Sequence, residues 1–165
     1  MFSSCFFFSS AGEMAVHEMF FGVLIRPSVL IHFCDISRGM KYLLVFIGGG
    51  IGTVLRFSVN VAFPRLFGMT FPYHTLFENV SGSFVMGLLA GYFAHKARDP
   101  QLSLFLMTGI IGGYTTFSTF SLDTLILWGR QQYGAAGLYV ALSVSASIGG
   151  LVLGLLIMRA IFGPS

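Results

Sequence analysis

Charge is the scarcest commodity in this sequence, with only 9% of 165 residues being Asp, Glu, Lys or Arg. Soluble domains carry roughly 25%. So few charges cannot clothe a globule of this size in a solvated surface, and lipid must do part of the covering. Cysteine is nearly absent: Cys5 and Cys34 are the only two, and no CxxC or Cys/His spacing accompanies them. Neither a disulfide framework nor a zinc site follows. Histidine is limited to His17, His32, His74 and His95, and none lies deep within an apolar run. A hydrolase needs a positioned base beside its nucleophile, so the chain is read as no enzyme. The net charge of +3 would suit nucleic acid if it were clustered. Instead the basic residues stand singly between apolar runs, as interfacial anchors do, and no nucleic-acid partner is expected.

What the chain does have is 55% hydrophobic residues, 21 glycines and a mean hydropathy of +0.84. Four apolar stretches approach or exceed the ~20 residues a helix needs to cross a bilayer. They run from about Tyr42 to Phe63, Leu76 to Ala94, Leu102 to Trp128 and Ala136 to Ile161. Pro64, Arg65 and Gly68 read as the first turn, His95 to Pro100 as the second, and Gly129 to Gln132 as the third. Loops this short place consecutive helices antiparallel. The expected fold is an all-α membrane protein with four transmembrane helices. Small-xxx-small pairs (Gly48/Gly52, Gly87/Gly91, Gly109/Gly113 and Gly150/Gly154) imply close helix contacts.

Residues 1–39 differ in character. Met1 to Ser10 is rich in Phe and Ser without the basic start of a secretory signal. Met19 to Phe33 is apolar but interrupted by Arg26, Pro27 and His32. Met40-Lys41-Tyr42-Leu43-Leu44 reads as a natural beginning. Residues 1–39 are therefore expected to be an unstructured or amphipathic extension, or sequence upstream of the true start, and residues 40–165 the membrane domain. Positive charge is nearly balanced: Lys41, Lys96, Arg98 and Arg159 fall on one side, Arg65 and Arg130 on the other, with Arg56 at uncertain depth. Such a balance hardly fixes one orientation.

Polar groups in apolar spans should face the protein interior or a watery path, and here they are concentrated. The first span ends its glycine run in Arg56, the second carries Glu78, Asn79, Ser81 and Ser83, and the fourth carries Tyr139, Ser143, Ser145 and Ser147. In the third, Gly112-Gly113 precedes Tyr114-Thr115-Thr116, a poor helix centre, so a break is expected. After it, Thr115, Thr116, Ser118, Thr119 and Ser121 supply hydroxyls, and Phe117 and Phe120 share nearly one face. Single hydroxyls usually bond back to their own helix, and spacing alone leaves the two rings as either packing or part of a path. The inventory is one of donors without bases, which suits anion passage better than catalysis.

Three segments resemble the CrcB/Fluc fluoride-channel family: Gly48 to Arg56, Thr75 to Gly87, and Gly112 to Ser121 with its Thr-Thr-Phe-Ser-Thr-Phe-Ser run. The similarity extends from Met40 to the C-terminus. It implies an antiparallel, dual-topology homodimer in the cell (inner) membrane, multi-pass, exporting fluoride by passive permeation and so lowering its toxicity. It also implies roles for residues. Asn79 would donate its amide to fluoride. Phe117 and Phe120 would present electropositive ring edges. Thr119, Tyr139 and Ser145 would extend a hydroxyl track, with Ser147 a weaker candidate, and Arg56 would attract anions. Backbone carbonyls of Gly112 and Thr115 from both subunits would hold one structural sodium ion.

Glu78 departs from that pattern, which has an apolar or small residue beside the asparagine. Consecutive helical residues point about 100° apart, so Glu78 is expected to miss the pore. Burial could protonate it, Arg56 could pair with it, or it could sit near the water interface. Two rivals remain. A proton-coupled exporter of the small multidrug type relies on an acidic residue in its first helix, where this chain has Arg56. A non-transporting assembly subunit predicts no flux from protein reconstituted alone.

Overall fold

In a computed structural model, which describes residues 38–68, 70–95 and 99–163, every regular element is helical. The order is α1 (Arg38–Phe67), α2 (Tyr73–His95), α3 (Pro100–Ser103), a π-helical run Leu104–Ile111, α4 (Gly112–Tyr114), α5 (Phe117–Gly129) and α6 (Tyr133–Phe162). The reading of residues 1–39 lies outside the described residues, apart from Arg38 and Gly39 at the start of α1. Lys96 and Arg98 lie outside them too.

α1 and α6 are, among the described residues, the two helices long and apolar enough to cross a membrane unaided. α1 runs one turn past the expected stop at Phe63. Pro64 sits in its last turn, where only one backbone bond is lost. Gly68, with φ of 75°, then donates its N–H to the Pro64 carbonyl at 3.0 Å. This left-handed cap ends the helix because glycine alone enters that region without strain. α2 has comparable reach at 23 residues, with Glu78, Asn79 and serines diluting its hydropathy.

The third leg is assembled from pieces. Asp99 begins it, its Oδ1 accepting the Gln101 and Leu102 N–H groups at 3.0 Å each, with Pro100 in the first turn. The π-helical run follows, a wide and uncommon geometry. At the expected break the backbone turns extended, with Thr115 at ψ 155° and Thr116 at φ −152°, ψ 119°. Thr116 then caps α5, its Oγ1 accepting the Thr119 N–H at 3.2 Å.

The glycine pairs mate crosswise. α1 lies mainly against the π-helical run, and α2 against α6. A Cβ on Gly48 would lie 2.7 Å from the Phe105 carbonyl oxygen and 2.9 Å from Gly109 Cα. One on Gly52 would collide with the Ile110 carbonyl, and one on Gly113 with that of Gly49. In the other pair, Gly87 meets the Leu151 carbonyl and Gly154 that of Phe84. Backbone touches backbone along both seams, as small-residue contacts permit in a membrane. Outward faces are apolar, with Phe46, Phe57, Leu66, Leu125 and Ile161 all exposed. The inner cluster of Leu127, Ala136 and Tyr139 is small by comparison.

Candidate functional site

An unbroken helix would send the Thr116 N–H to the carbonyl of Gly112. Here it crosses to α2 instead, reaching Asn79 Oδ1 at 2.9 Å, while Asn79 Nδ2 donates to the Thr116 carbonyl at 3.1 Å. The carboxamide thus replaces the backbone partner that the break removes, where an orphaned group would cost about 1–3 kcal/mol. An amide nitrogen carries two protons, so one Asn79 N–H stays free to donate.

Beside this pairing lies a cavity of about 280 Å³, lined by Asn79, Ser83, Phe117, Phe120, Ser143 and Ser147 together with the extended Thr115-Thr116 segment. The Phe117 and Phe120 rings lie 5.4 Å apart at 46°. The Oγ atoms of Ser143 and Ser147 are buried with no partner among the described residues. Tyr139, Ser143 and Ser147 succeed one another at intervals of four, so they occupy one face of α6.

The structure separates some of the expected residues from this group. Ser145 is exposed on the other side of α6, and its hydroxyl bonds back to the Ala141 carbonyl at 2.5 Å. Tyr139 is fully buried, and its hydroxyl donates to Asp123 Oδ2 at 3.2 Å, an oxygen that also accepts from Thr75 Oγ1 at 2.7 Å. Its ring nevertheless adjoins Phe120 at 5.4 Å. Thr119 Oγ1 is engaged with Thr116 Oγ1 at 3.1 Å. Arg56 Nη1 makes a long contact of 3.5 Å to the Thr115 carbonyl. Ser83 and Ser143 were noted in sequence as polar groups of their spans but not placed on the path. Four-residue periodicity from Tyr139 carried the signal for Ser143, and Ser83 follows Asn79 at the same interval.

The carbonyls of Gly112 and Thr115 are neutral oxygens of the kind a hard cation takes. The first loses its helical donor to Asn79, and the second carries only the long Arg56 contact. Among the described residues no three His, Cys, Asp or Glu side chains gather to bind a metal, so a cation there would rest on such neutral oxygens. Glu78 is fully buried, and both its carboxyl oxygens are without partners among the described residues.

A family model described as CrcB-like protein, Camphor Resistance (CrcB) matches residues 43–155. A fluoride-specific ion channel FluC of Rhodopseudomonas palustris (strain BisB5) is 58% identical over 123 residues, covering 74% of this chain and 99% of the relative. The fluoride-specific ion channel FluC 2 of Nitrobacter hamburgensis is 52% identical over 121 residues, covering 73% and 98%. That of Methylobacterium sp. (strain 4-46) is 52% identical over 121 residues, covering 73% and 97%.

Proposed function

This chain belongs to the CrcB-like protein family, and we propose that it conducts fluoride through the cavity bounded by Asn79, Phe117, Phe120, Ser143 and Ser147. It is a fluoride-specific ion channel in a membrane, and the proton-coupled exporter finds no support among its relatives. The observation that carries the assignment to this cavity is its lining: amide and hydroxyl donors with aromatic rings, and no base.

Fluoride entering from water gives up strong hydrogen bonds, and an apolar wall could not replace them. The free Asn79 N–H and the unpartnered Ser143 and Ser147 hydroxyls can each donate one. The positive rims of Phe117 and Phe120 add weaker stabilisation. Weak, successive sites let an ion enter and also leave. Arg56 beside Thr115 supplies positive charge near the cavity wall.

In this reading each subunit crosses the membrane four times, through α1, α2, the broken third leg and α6. Two copies pair antiparallel in the inner membrane and let fluoride leave the cytoplasm passively. Residues 40–165 form the channel domain. The Gly112 and Thr115 carbonyls of both copies would hold a structural sodium ion, which would supply positive charge to the exposed carbonyl end at the break. Purified protein in liposomes, followed with a fluoride electrode, tests the proposal. Rapid fluoride efflux with far slower chloride efflux is expected, and efflux no faster than from empty vesicles refutes it.

A further inference from the structure

α2 turns opposite faces to two different surroundings. Thr75 and Gly82 face the third leg: Thr75 Oγ1 donates to Asp123, and a Cβ on Gly82 would strike the Thr115 methyl. At about 100° per residue, Phe77, Val80 and Phe84 lie on the other side. There they line an open groove of about 830 Å³. Phe63 and Phe67 of α1 form one wall, with the Phe63 and Phe77 rings 4.9 Å apart. Leu142, Ala146 and Leu153 of α6 form the other. The glycine seam sets where the groove ends. From Phe84 onward α2 and α6 meet backbone to backbone, at Gly154 and then at Gly87, which closes the gap between them.

Chemistry and length together describe the occupant. Among the described residues, none of the lining side chains is charged, and the Ser81 hydroxyl already donates to the Phe77 carbonyl at 2.6 Å. Tyr73 stands at the shallow end, at the start of α2, its ring 5.9 Å from that of Phe67 and 4.8 Å from that of Phe71. Tyrosine suits such a boundary, with an apolar body and a polar tip for water or head groups. The run from Tyr73 to Phe84 is about 16 Å of helix, close to the ~15 Å that is half a hydrocarbon core. We propose that this groove is a lipid site, holding one acyl chain of a phospholipid of the adjoining leaflet with the head group beside Tyr73. A helix of a second copy would cross the whole bilayer, whereas the groove stops halfway. Pairing of copies through Gly112 and Thr115 also lies on the third-leg side of α2, away from the groove. The bound chain backs the helix that carries Asn79 and fills the space between α1 and α6. This inference rests on the membrane-spanning, antiparallel reading above and adds a ligand to it.

The test counts phospholipid retained by the full chain after purification in detergent, using native mass spectrometry. Wild type should keep one phospholipid per subunit. Ala146→Phe, which puts a ring into the groove, should keep none. Leu153→Trp, at an exposed position of the deep end, makes the same test if the first variant fails to fold. Ile161→Phe, exposed on the same helix beyond the groove, should retain lipid as wild type does. Adding palmitoyl-oleoyl phosphatidylethanolamine to stripped wild type should raise its melting temperature by roughly 4 °C. The dioctanoyl lipid, whose chains stop short of Phe84, should give a smaller shift, and neither lipid should move the filled variants. Equal retention in wild type and filled variants, or no melting shift in wild type, would overturn the proposal. A filled variant that loses its dimer and not its lipid would assign the groove to a second copy and overturn it equally. Fluoride efflux from the same wild-type preparation is read separately, and its absence would refute the channel reading while the lipid count stands.

Discussion

His95 ties together the ends of two helices: its Nε2 lies 2.9 Å from the carbonyl oxygen of Gly163, while Nδ1 lies 2.8 Å from that of Gly91. Both partners are carbonyl oxygens, so each contact is a bond whenever the nitrogen facing it carries a proton. The ring also stacks on Phe162, centroids 5.7 Å apart at 28°. His95→Ala should therefore destabilise the α2–α6 end by about 1–3 kcal/mol, read as a lower melting temperature in detergent. His95→Gln should recover part of the loss. An unchanged melting temperature in the alanine variant would show that the bridge contributes nothing.

Asn79 has two separable duties, and substitution can divide them. Asn79→Ala removes both the pairing with Thr116 and the donor in the cavity, so stability and fluoride flux should both fall. Asn79→Asp keeps an acceptor for the Thr116 N–H but removes the donor and adds negative charge. Its protein should assemble closer to wild type yet pass little fluoride. Size-exclusion profiles and liposome efflux, measured on the same preparations, separate the two effects.

On α6, alternate serines should behave differently. Ser143→Ala and Ser147→Ala delete unpartnered hydroxyls at the cavity and should slow fluoride efflux. Ser145→Ala deletes a hydroxyl that already bonds its own helix and should leave the rate within about twofold, the scale of a few tenths of a kcal/mol. A larger loss at Ser145 than at Ser143 would move the path to the other face of α6.

Phe117 and Phe120 should act through their ring edges and not through bulk. Isoleucine preserves apolar character but removes the edge, an interaction worth roughly 0.5–1.5 kcal/mol between aromatic groups. Both isoleucine variants should assemble and pass fluoride more slowly, by up to about tenfold for each ring. Methionine, with its polarizable sulfur, should retain more flux than isoleucine. Wild-type rates in both isoleucine variants would reduce the rings to packing.

Nearly balanced positive charge should let copies insert in both orientations. A tag on the C-terminus should then be reachable from either side of the membrane. Lysines added to one side should deplete one orientation and reduce flux. A tag accessible from one side only would refute the antiparallel arrangement.

The apolar runs and the break after Gly113 were legible from sequence because both are local. Hydropathy marks a span, and two glycines before three bulky residues weaken a helix at that spot. The long-range pairing of Asn79 with Thr116 was not legible, since it depends on how α2 and the third leg approach. The hydroxyl track was legible only in part. Periodicity places Ser143 beside Tyr139 and Ser147, whereas family resemblance favoured Ser145, which in this chain turns outward. The π-helical form of Leu104–Ile111 left no sequence signal, since the run reads as an ordinary apolar helix.

The two glycine seams have a mechanical consequence. Where backbone meets backbone, as at Gly48, Gly52, Gly87 and Gly154, there are no side chains to change rotamer, so those contacts resist sliding or widening by small adjustments. The subunit is then two leaves, α1 with the third leg and α2 with α6, joined by the Asn79–Thr116 pairing and by Asp123, which accepts from Thr75 and Tyr139. Breathing that parts the leaves at the cavity has to strain those hydrogen bonds rather than either seam.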